Sequence, residues 1–259
     1  WWWRLRKGLM VLLENPATLA SVWDGTVDRR ADALFLVFEG SDGRVSKWTY
    51  GQFDGIVSRA AATLVSNGVE PGSSVHMALA NCPAFVAVWL AAIRLGAWVV
   101  TSDPMGGDVE LSGHIGRTRP VVGICAASRA TVYLSGCGGL RVIEVEEQDP
   151  DLAAFSGNPI RLSTAPAPTD RAAVMFTSGT TGVPKGVEVT QANYAFAGRT
   201  MAAAAGLNET DRQLVVLPLF HANAQYYSFA SSIWAGASVA LMSSFTASGF
   251  LGQAAHHEA

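Results

Sequence analysis

Charge is scarce in this chain. Only 15% of its 259 residues are Asp, Glu, Lys or Arg, while 49% are hydrophobic. That balance excludes a charge-rich disordered segment and points to a packed globular protein. A basic surplus is missing too. The formal net charge is −3, so the basic face expected of a nucleic-acid binder is absent. Cysteine is nearly absent. Cys82, Cys125 and Cys137 form neither an even disulfide set nor a metal-ligand spacing, and free thiols in a reducing cytoplasm are the simplest expectation. No uninterrupted apolar run is long enough for a membrane. The longest candidate, residues 84–100, contains Arg94 and Gly96 and is read as a buried helix running into a strand. An initiator methionine is lacking as well. The chain opens on Trp1-Trp2-Trp3-Arg4-Leu5-Arg6-Lys7, so a start further upstream is expected. This aromatic, basic stretch is expected to pack on protein in preference to a membrane surface. The apolar run at 8–13 is short for a signal-peptide core.

What is present concentrates in one stretch, Thr177-Ser178-Gly179-Thr180-Thr181-Gly182-Val183-Pro184-Lys185-Gly186. An apolar run at 172–176 feeds it and a strand-like run at 187–189 follows. Glycines let backbone N–H groups approach an anion, and the hydroxyls and a lysine add donors and charge. The chemistry that needs such a loop is the handling of phosphate, most often a nucleotide triphosphate. The pattern is not the common G-x-x-x-x-G-K-[ST] loop, because Gly186 follows Lys185 and the glycines at 179 and 182 are too close together. Nor is it the G-x-G-x-x-G of dinucleotide folds. The alternative is a surface loop that happens to be rich in Gly and Thr.

Around this loop the sequence alternates. Residues 74–79, 98–101, 121–125 and 141–145 read as strands. Residues 83–95, 108–117 and 128–134 read as helices between them. Such β-α-β alternation predicts a largely parallel, covered sheet. Residues 158–170, with three prolines, read as a connector. Thr190 is a plausible N-cap for a helix over 191–205. A strand at 213–217, a helix over 223–234, a strand at 238–242 and a helix opening near Thr246 complete the pattern.

The 177–186 stretch closely resembles the signature [ST]-S-G-[ST]-T-G-x-P-K-G of the adenylate-forming superfamily, in particular its acyl-CoA synthetase branch. Three further segments resemble that family in the same order: Trp48-Thr49-Tyr50-Gly51-Gln52-Phe53, then residues 92–100 with Asp103-Pro104, then Leu217-Pro218-Leu219-Phe220-His221. The resemblance implies an α/β fold of two stacked subdomains with largely parallel sheets. It places one subdomain at about 72–210 and a second, discontinuous one at about 15–71 plus 211–259. It also implies an incomplete N-terminal domain, since the family's later aromatic-gly-x-thr-glu motif, its ribose-gripping aspartate and its C-terminal domain with a catalytic lysine have no counterpart here. No catalytic residue is therefore assigned within these residues. The implied activity is an ATP-dependent acyl-CoA ligase, with a carboxylic acid, ATP and CoA as substrates and the Mg2+ ligand outside this stretch. The alternatives are a ligase that loads a carrier protein, and a non-catalytic split half that binds ATP or a partner chain. A homodimer stays open.

On that reading Thr177, Ser178, Gly179, Thr180, Thr181 and Gly182 cradle the ATP phosphates, Lys185 adds a point charge and Pro184 stiffens the loop. By resemblance His221 lies beside the acyl pocket, a hydrogen-bonded strand-end histidine being the alternative. Asn223, Gln225 and Tyr226, with Ala222 and Phe229, are candidates for the pocket wall, and core packing is the alternative for Tyr226 and Phe229. Gln191 and Glu188 depart from the family's usual histidine and apolar residue. The adjacent pair His256-His257 lacks the i,i+4 spacing of a helical metal site, so no metal site is expected. The acidic run from Glu144 to Asp151 reads as a solvated loop in preference to a calcium site.

Overall fold

The computed structural model describes residues 17–158, 165–177 and 184–259. The basic N-terminal stretch and Ser178, Gly179, Thr180, Thr181 and Gly182 lie outside the described residues, as does part of the connector.

Two sheets organise the chain. The first is built from β1 (Leu34–Glu39), β2 (Val45–Thr49), β9 (Arg212–Val215) and β10 (Ser238–Met242), in the order β2-β1-β10-β9. The second contains β3 (Ser74–Ala78), β4 (Trp98–Thr101), β5 (Val122–Ala126), β6 (Arg141–Val145), β7 (Arg171–Thr177) and β8 (Lys185–Thr190), in the order β6-β5-β3-β4-β7-β8. All pairings are parallel except β1–β2 and β7–β8. The fold class is α/β with two mostly parallel sheets, as the alternating pattern predicts.

Local chemistry sets the helix ends. Thr49 caps α2 (Tyr50–Ser66) in a reciprocal box with Gln52, and Thr190 caps α6 (Gln191–Ala205) in the same way with Asn193. Gly206, at φ 65°, ends α6 in the left-handed conformation that glycine adopts freely. The first helix, α1 (Leu19–Arg30), is capped by Thr18 and Ser21.

Helix α3 (Pro83–Arg94) is apolar on every side, and every residue from Pro83 to Ile93 is buried. It belongs to one core cluster that also takes Leu36 and Val239 from the first sheet and Val75 and Val99 from the second. Its one charge, Arg94, is met by Asp54 at 2.9 Å and Asp24 at 3.0 Å. Helix α4 (Asp108–Thr118) and α5 (Ala130–Gly136) frame a smaller cluster containing Leu111, Tyr133 and Cys125. The chain moves from β3 to β4 on one side and from β4 back past β3 to β5 on the other. Right-handed crossovers therefore put α3 and α4 on opposite faces, with a crevice at the carboxyl ends of β3 and β4. No helix among the described residues is long and apolar enough to cross a membrane.

The structure departs from the sequence reading in several elements. The helix expected over 223–234 opens as a π-helix (Ala224–Ala230) before α7 (Ser231–Ala235). The cause is competition for carbonyls. Ser231 Oγ donates to Tyr227 O, and Gln213 Nε2 donates to Ser228 O. The last helix, α8 (Phe250–His256), begins later than Thr246, whose hydroxyl instead accepts from Gly249 N. The acidic run is not wholly solvated, because Glu147 accepts from Ala80 N at 2.6 Å. Glu188 is explained by its strand: β8 is an exposed edge, and Glu188 pairs with Arg171. Gln191 is fully buried, accepting from Ala20 N and donating to Ile93 O.

Candidate functional site

Strand β7 and strand β8 form an antiparallel hairpin in which Thr177 pairs with Lys185. Thr177, Pro184 and Lys185 are the described residues that flank the glycine- and threonine-rich stretch. Both Thr177 and Lys185 are exposed, and the Thr177 hydroxyl faces Lys185 O at 3.4 Å.

A cavity of about 280 Å³ opens beside these residues. It is lined by Phe176, Thr177 and Pro184, by Thr101, Ser102 and Asp103 at the carboxyl end of β4, by Glu110 and His114 on α4, and by Phe220 and His221. Two predicted residues distant in sequence, Thr177 and His221, therefore meet on one cavity. The segment bearing His221 is held from the second sheet. Asn81 Nδ2 donates to Leu217 O and Met242 O, each at 3.1 Å, and Leu219 N donates to Asn81 Oδ1 at 2.8 Å. Thr101 Oγ1 donates to Phe220 O at 2.8 Å.

The other predicted residues fall elsewhere. Asn223 is exposed and does not line this cavity. Tyr226 is half-buried against Tyr194, with ring centroids 4.9 Å apart, and burial pushes its hydroxyl up to about 12. Phe229 is core. Gln225 falls in the core. It is fully buried, its Nε2 donates to Leu219 O, and its Oε1 accepts from the Tyr194 hydroxyl. Both ends of its amide serve the protein, so it supports the Leu219 backbone.

Sequence reasoning passed over a polar relay under the cavity. His76, fully buried on β3, has its Nδ1 2.7 Å from the Tyr133 hydroxyl and its Nε2 2.9 Å from Ser102 Oγ. Ser102 Oγ lies 2.7 Å from His114 Nδ1. His114, on α4, lines the cavity and stacks flat on Phe176 at 3.9 Å between ring centroids. Burial lowers His76 to about 3, with His114 as a second cause, and lowers His114 to about 4, with Arg117 as the second cause. Arg117 sits one turn along α4, its guanidinium 5.3 Å from the Phe176 ring centre, and its Nη1 donates to Pro184 O at 2.6 Å. The available signal was a histidine among the apolar residues Val75, Met77, Ala78 and Leu79 of the strand read at 74–79.

His256 and His257 are joined by Glu39, with ligand atoms all within 4.8 Å of one another. His257 Nε2 already lies 2.6 Å from Glu39 Oε2, and Lys47 and Arg212 line the same depression. Two cations beside the cluster oppose a bound metal ion, and the His257–Glu39 contact is better described as an anchor for α8.

The family described as AMP-binding enzyme matches residues 23–258. Among curated relatives, a crotonobetaine/carnitine–CoA ligase from Salmonella arizonae is 28% identical over 260 residues, covering 91% of this chain and 48% of that protein. The chain thus spans about half the length of the curated relatives it matches. The crystal structure of ATP-bound MatB from Rhodopseudomonas palustris superposes with a TM-score of 0.79 at 22% identity, covering 91% of this chain and 48% of that one. The N-terminal domain of FACL13 from Mycobacterium tuberculosis gives 0.80 at 22% identity, covering 93% and 61%. At such identities the two structures speak to the fold.

Proposed function

The chain belongs to the AMP-binding enzyme family, and from that premise we propose that it is the N-terminal portion of an ATP-dependent acyl-CoA ligase. The observation that carries the proposal is the meeting of the phosphate-loop ends with His221 on one cavity at the carboxyl edge of the second sheet. In the first step a carboxylate oxygen attacks the α-phosphorus of ATP, and pyrophosphate leaves. In the second, the CoA thiol attacks the acyl carbon and AMP leaves, giving a thioester.

The roles assigned are few. Amides and hydroxyls of residues 177–182 hold the departing phosphates, and Lys185 balances their charge. His221 borders the reacting end, with Asn223 and Tyr226 towards the acyl group. Mg2+, when bound, would supply positive charge that offsets the charge on the departing phosphates. No described residue is assigned to it; the cluster of three ligand-type residues found among the described residues, Glu39 with His256 and His257, lies beside Lys47 and Arg212. The two subdomains, about 72–210 and about 15–71 plus 211–259, are the units expected to carry ATP and the acyl group between them. CoA is preferred to a carrier protein because the curated relatives named above are CoA ligases. A cytoplasmic setting fits the three buried free thiols.

The test is acid-dependent ATP–pyrophosphate exchange by the full protein that carries this segment, followed by acyl transfer to CoA or to a carrier. Lys185→Ala should lower exchange by about 100-fold. Exchange unchanged by that substitution would remove the loop from the chemistry.

A further inference from the structure

His114 is 3% exposed, and its Nε2 has no hydrogen-bond partner among the described residues. A buried ring nitrogen left unpaired is costly unless something outside the chain satisfies it. The relay behind it decides what kind of partner it needs. Burial keeps both imidazoles neutral near pH 7, and a neutral imidazole has one donor and one acceptor. The chain of hydrogen bonds can therefore run one way or the other, or both imidazoles can donate to Ser102 Oγ, which strands the Ser102 proton among the described residues and leaves His114 Nε2 a bare lone pair. If Tyr133 donates to His76 Nδ1, then His76 Nε2–H donates to Ser102, Ser102 donates to His114 Nδ1, and the remaining proton sits on His114 Nε2. In the reverse direction the Tyr133 proton has no acceptor among the described residues, and His114 Nε2 is a bare lone pair. One orphan is less costly than two, so the first direction holds. Gly123 makes it feasible. It stands opposite His76 in the β3–β5 ladder, and a Cβ there would lie 2.2 Å from the Tyr133 oxygen.

We infer that His114 is a phosphate-binding residue, its Nε2–H donating to an oxygen of the ATP phosphate chain, and that Tyr133, His76 and Ser102 are positioning residues that fix its tautomer. This rests on the ATP reading given above. The choice of phosphate follows from placement. His114 shares the cavity with Thr177 and Pro184 and stacks on Phe176, the residue that leads into the loop. Arg117 on the same helix holds the loop's other end. Asp103 and Glu110 also border the cavity, but Asp103 Oδ1 is taken by Met105 N and neither carboxylate reaches Nε2. A neutral donor beside a cation suits a ligand that brings only acceptors and negative charge.

The experiment is histidine side-chain 15N NMR on the 259-residue chain, titrated with ATP and separately with inorganic pyrophosphate. The expected spectrum shows His114 as the Nε2–H tautomer, with a shift of Nε2 on adding either ligand. His114→Phe keeps the stack on Phe176 and should weaken ATP binding about tenfold. Tyr133→Phe removes the hydroxyl that sets the direction and should mix the two tautomers without touching the cavity wall. An Nδ1–H tautomer in the wild-type chain overturns the inference. So does ATP binding that moves the Thr177 and Lys185 amides but leaves His114 still. If ATP moves no resonance at all, the nucleotide reading fails first and the inference falls with it.

Discussion

Helices α3 and α4 follow neighbouring strands of the same sheet and are nearly equal in length, yet they do opposite work. In α3 eleven consecutive residues, Pro83 to Ile93, are buried. In α4 only Leu111 and His114 are. The difference lies in what each face meets. The α3 helix sits in the core shared by both sheets, where every direction is apolar. The α4 helix packs one stripe on a small cluster and turns His114 and Arg117 towards the loop ends. Stability is concentrated on one face of the sheet and the candidate chemistry on the other. That separation lets polar groups gather at the cavity without loosening the core.

The largest effect should come from the α3 side. Trp89 is fully buried and packs edge-on against Tyr194 and Phe229. Trp89→Ala should destabilise the chain by about 3–5 kcal/mol, measured by urea unfolding. A loss below about 1 kcal/mol would mean that α3 is not the structural centre of the fold.

Acid should act through the α4 side. His76 and His114 titrate in the fold near 3 and 4, below the ordinary value of about 6.5 in an unfolded chain. Below that value the unfolded state binds the extra protons, so stability falls as pH falls. The stabilisation is complete above about pH 6.5 and is lost towards the folded values, at roughly 1.4 kcal/mol per pH unit for each histidine. Lowering the pH from 6 to 5 should therefore cost roughly 2–3 kcal/mol. His114→Phe should halve that slope while leaving the Trp89 environment, read by fluorescence, unchanged. A flat profile between pH 6 and 5 would place the relay in contact with water.

Much of this contrast could be read from the chain. The strands at 98–101, 141–145 and 238–242 and the helix at 191–205 were fixed by apolar runs and a Thr cap, and they stand at those residues. The strands on either side of the glycine- and threonine-rich stretch were legible from its apolar flanks, and β7 and β8 stand there. Other parts were not. Strand β1 has four consecutive buried residues and no alternation, and its partner β10 lies some two hundred residues away. The π-helix depends on Gln213 and Ser231 reaching its carbonyls, which no local pattern announces. The relay needs β3, β4 and β5 side by side, with a glycine opposite His76. Sheet order decides that, so no local pattern in the sequence connects His76, Ser102 and His114.

Just before α3 lies Asn81, which ties the end of β3 to the segment bearing His221. Asn81→Ala leaves Leu219 N and two carbonyls without their partner and should cost about 2 kcal/mol. It should also lower exchange activity, because His221 loses its anchor. Asn81→Ala with full activity would separate the anchoring of that segment from the cavity.

The smallest expected effect belongs to Arg117, and it tests the separation most sharply. The residue is exposed, and one hydrogen bond from it, to Pro184 O, reaches the loop. Water replaces such a contact easily, so Arg117→Ala should change stability by less than about 0.5 kcal/mol. If α4 is the functional face, the same substitution should still weaken ATP binding two- to threefold, because the loop's trailing end is no longer held in place and a nearby cation is gone. The result to look for is an unchanged unfolding midpoint together with a raised Kd for ATP by calorimetry. A shifted midpoint with unchanged affinity would reverse the assignment and make α4 a structural helix like α3.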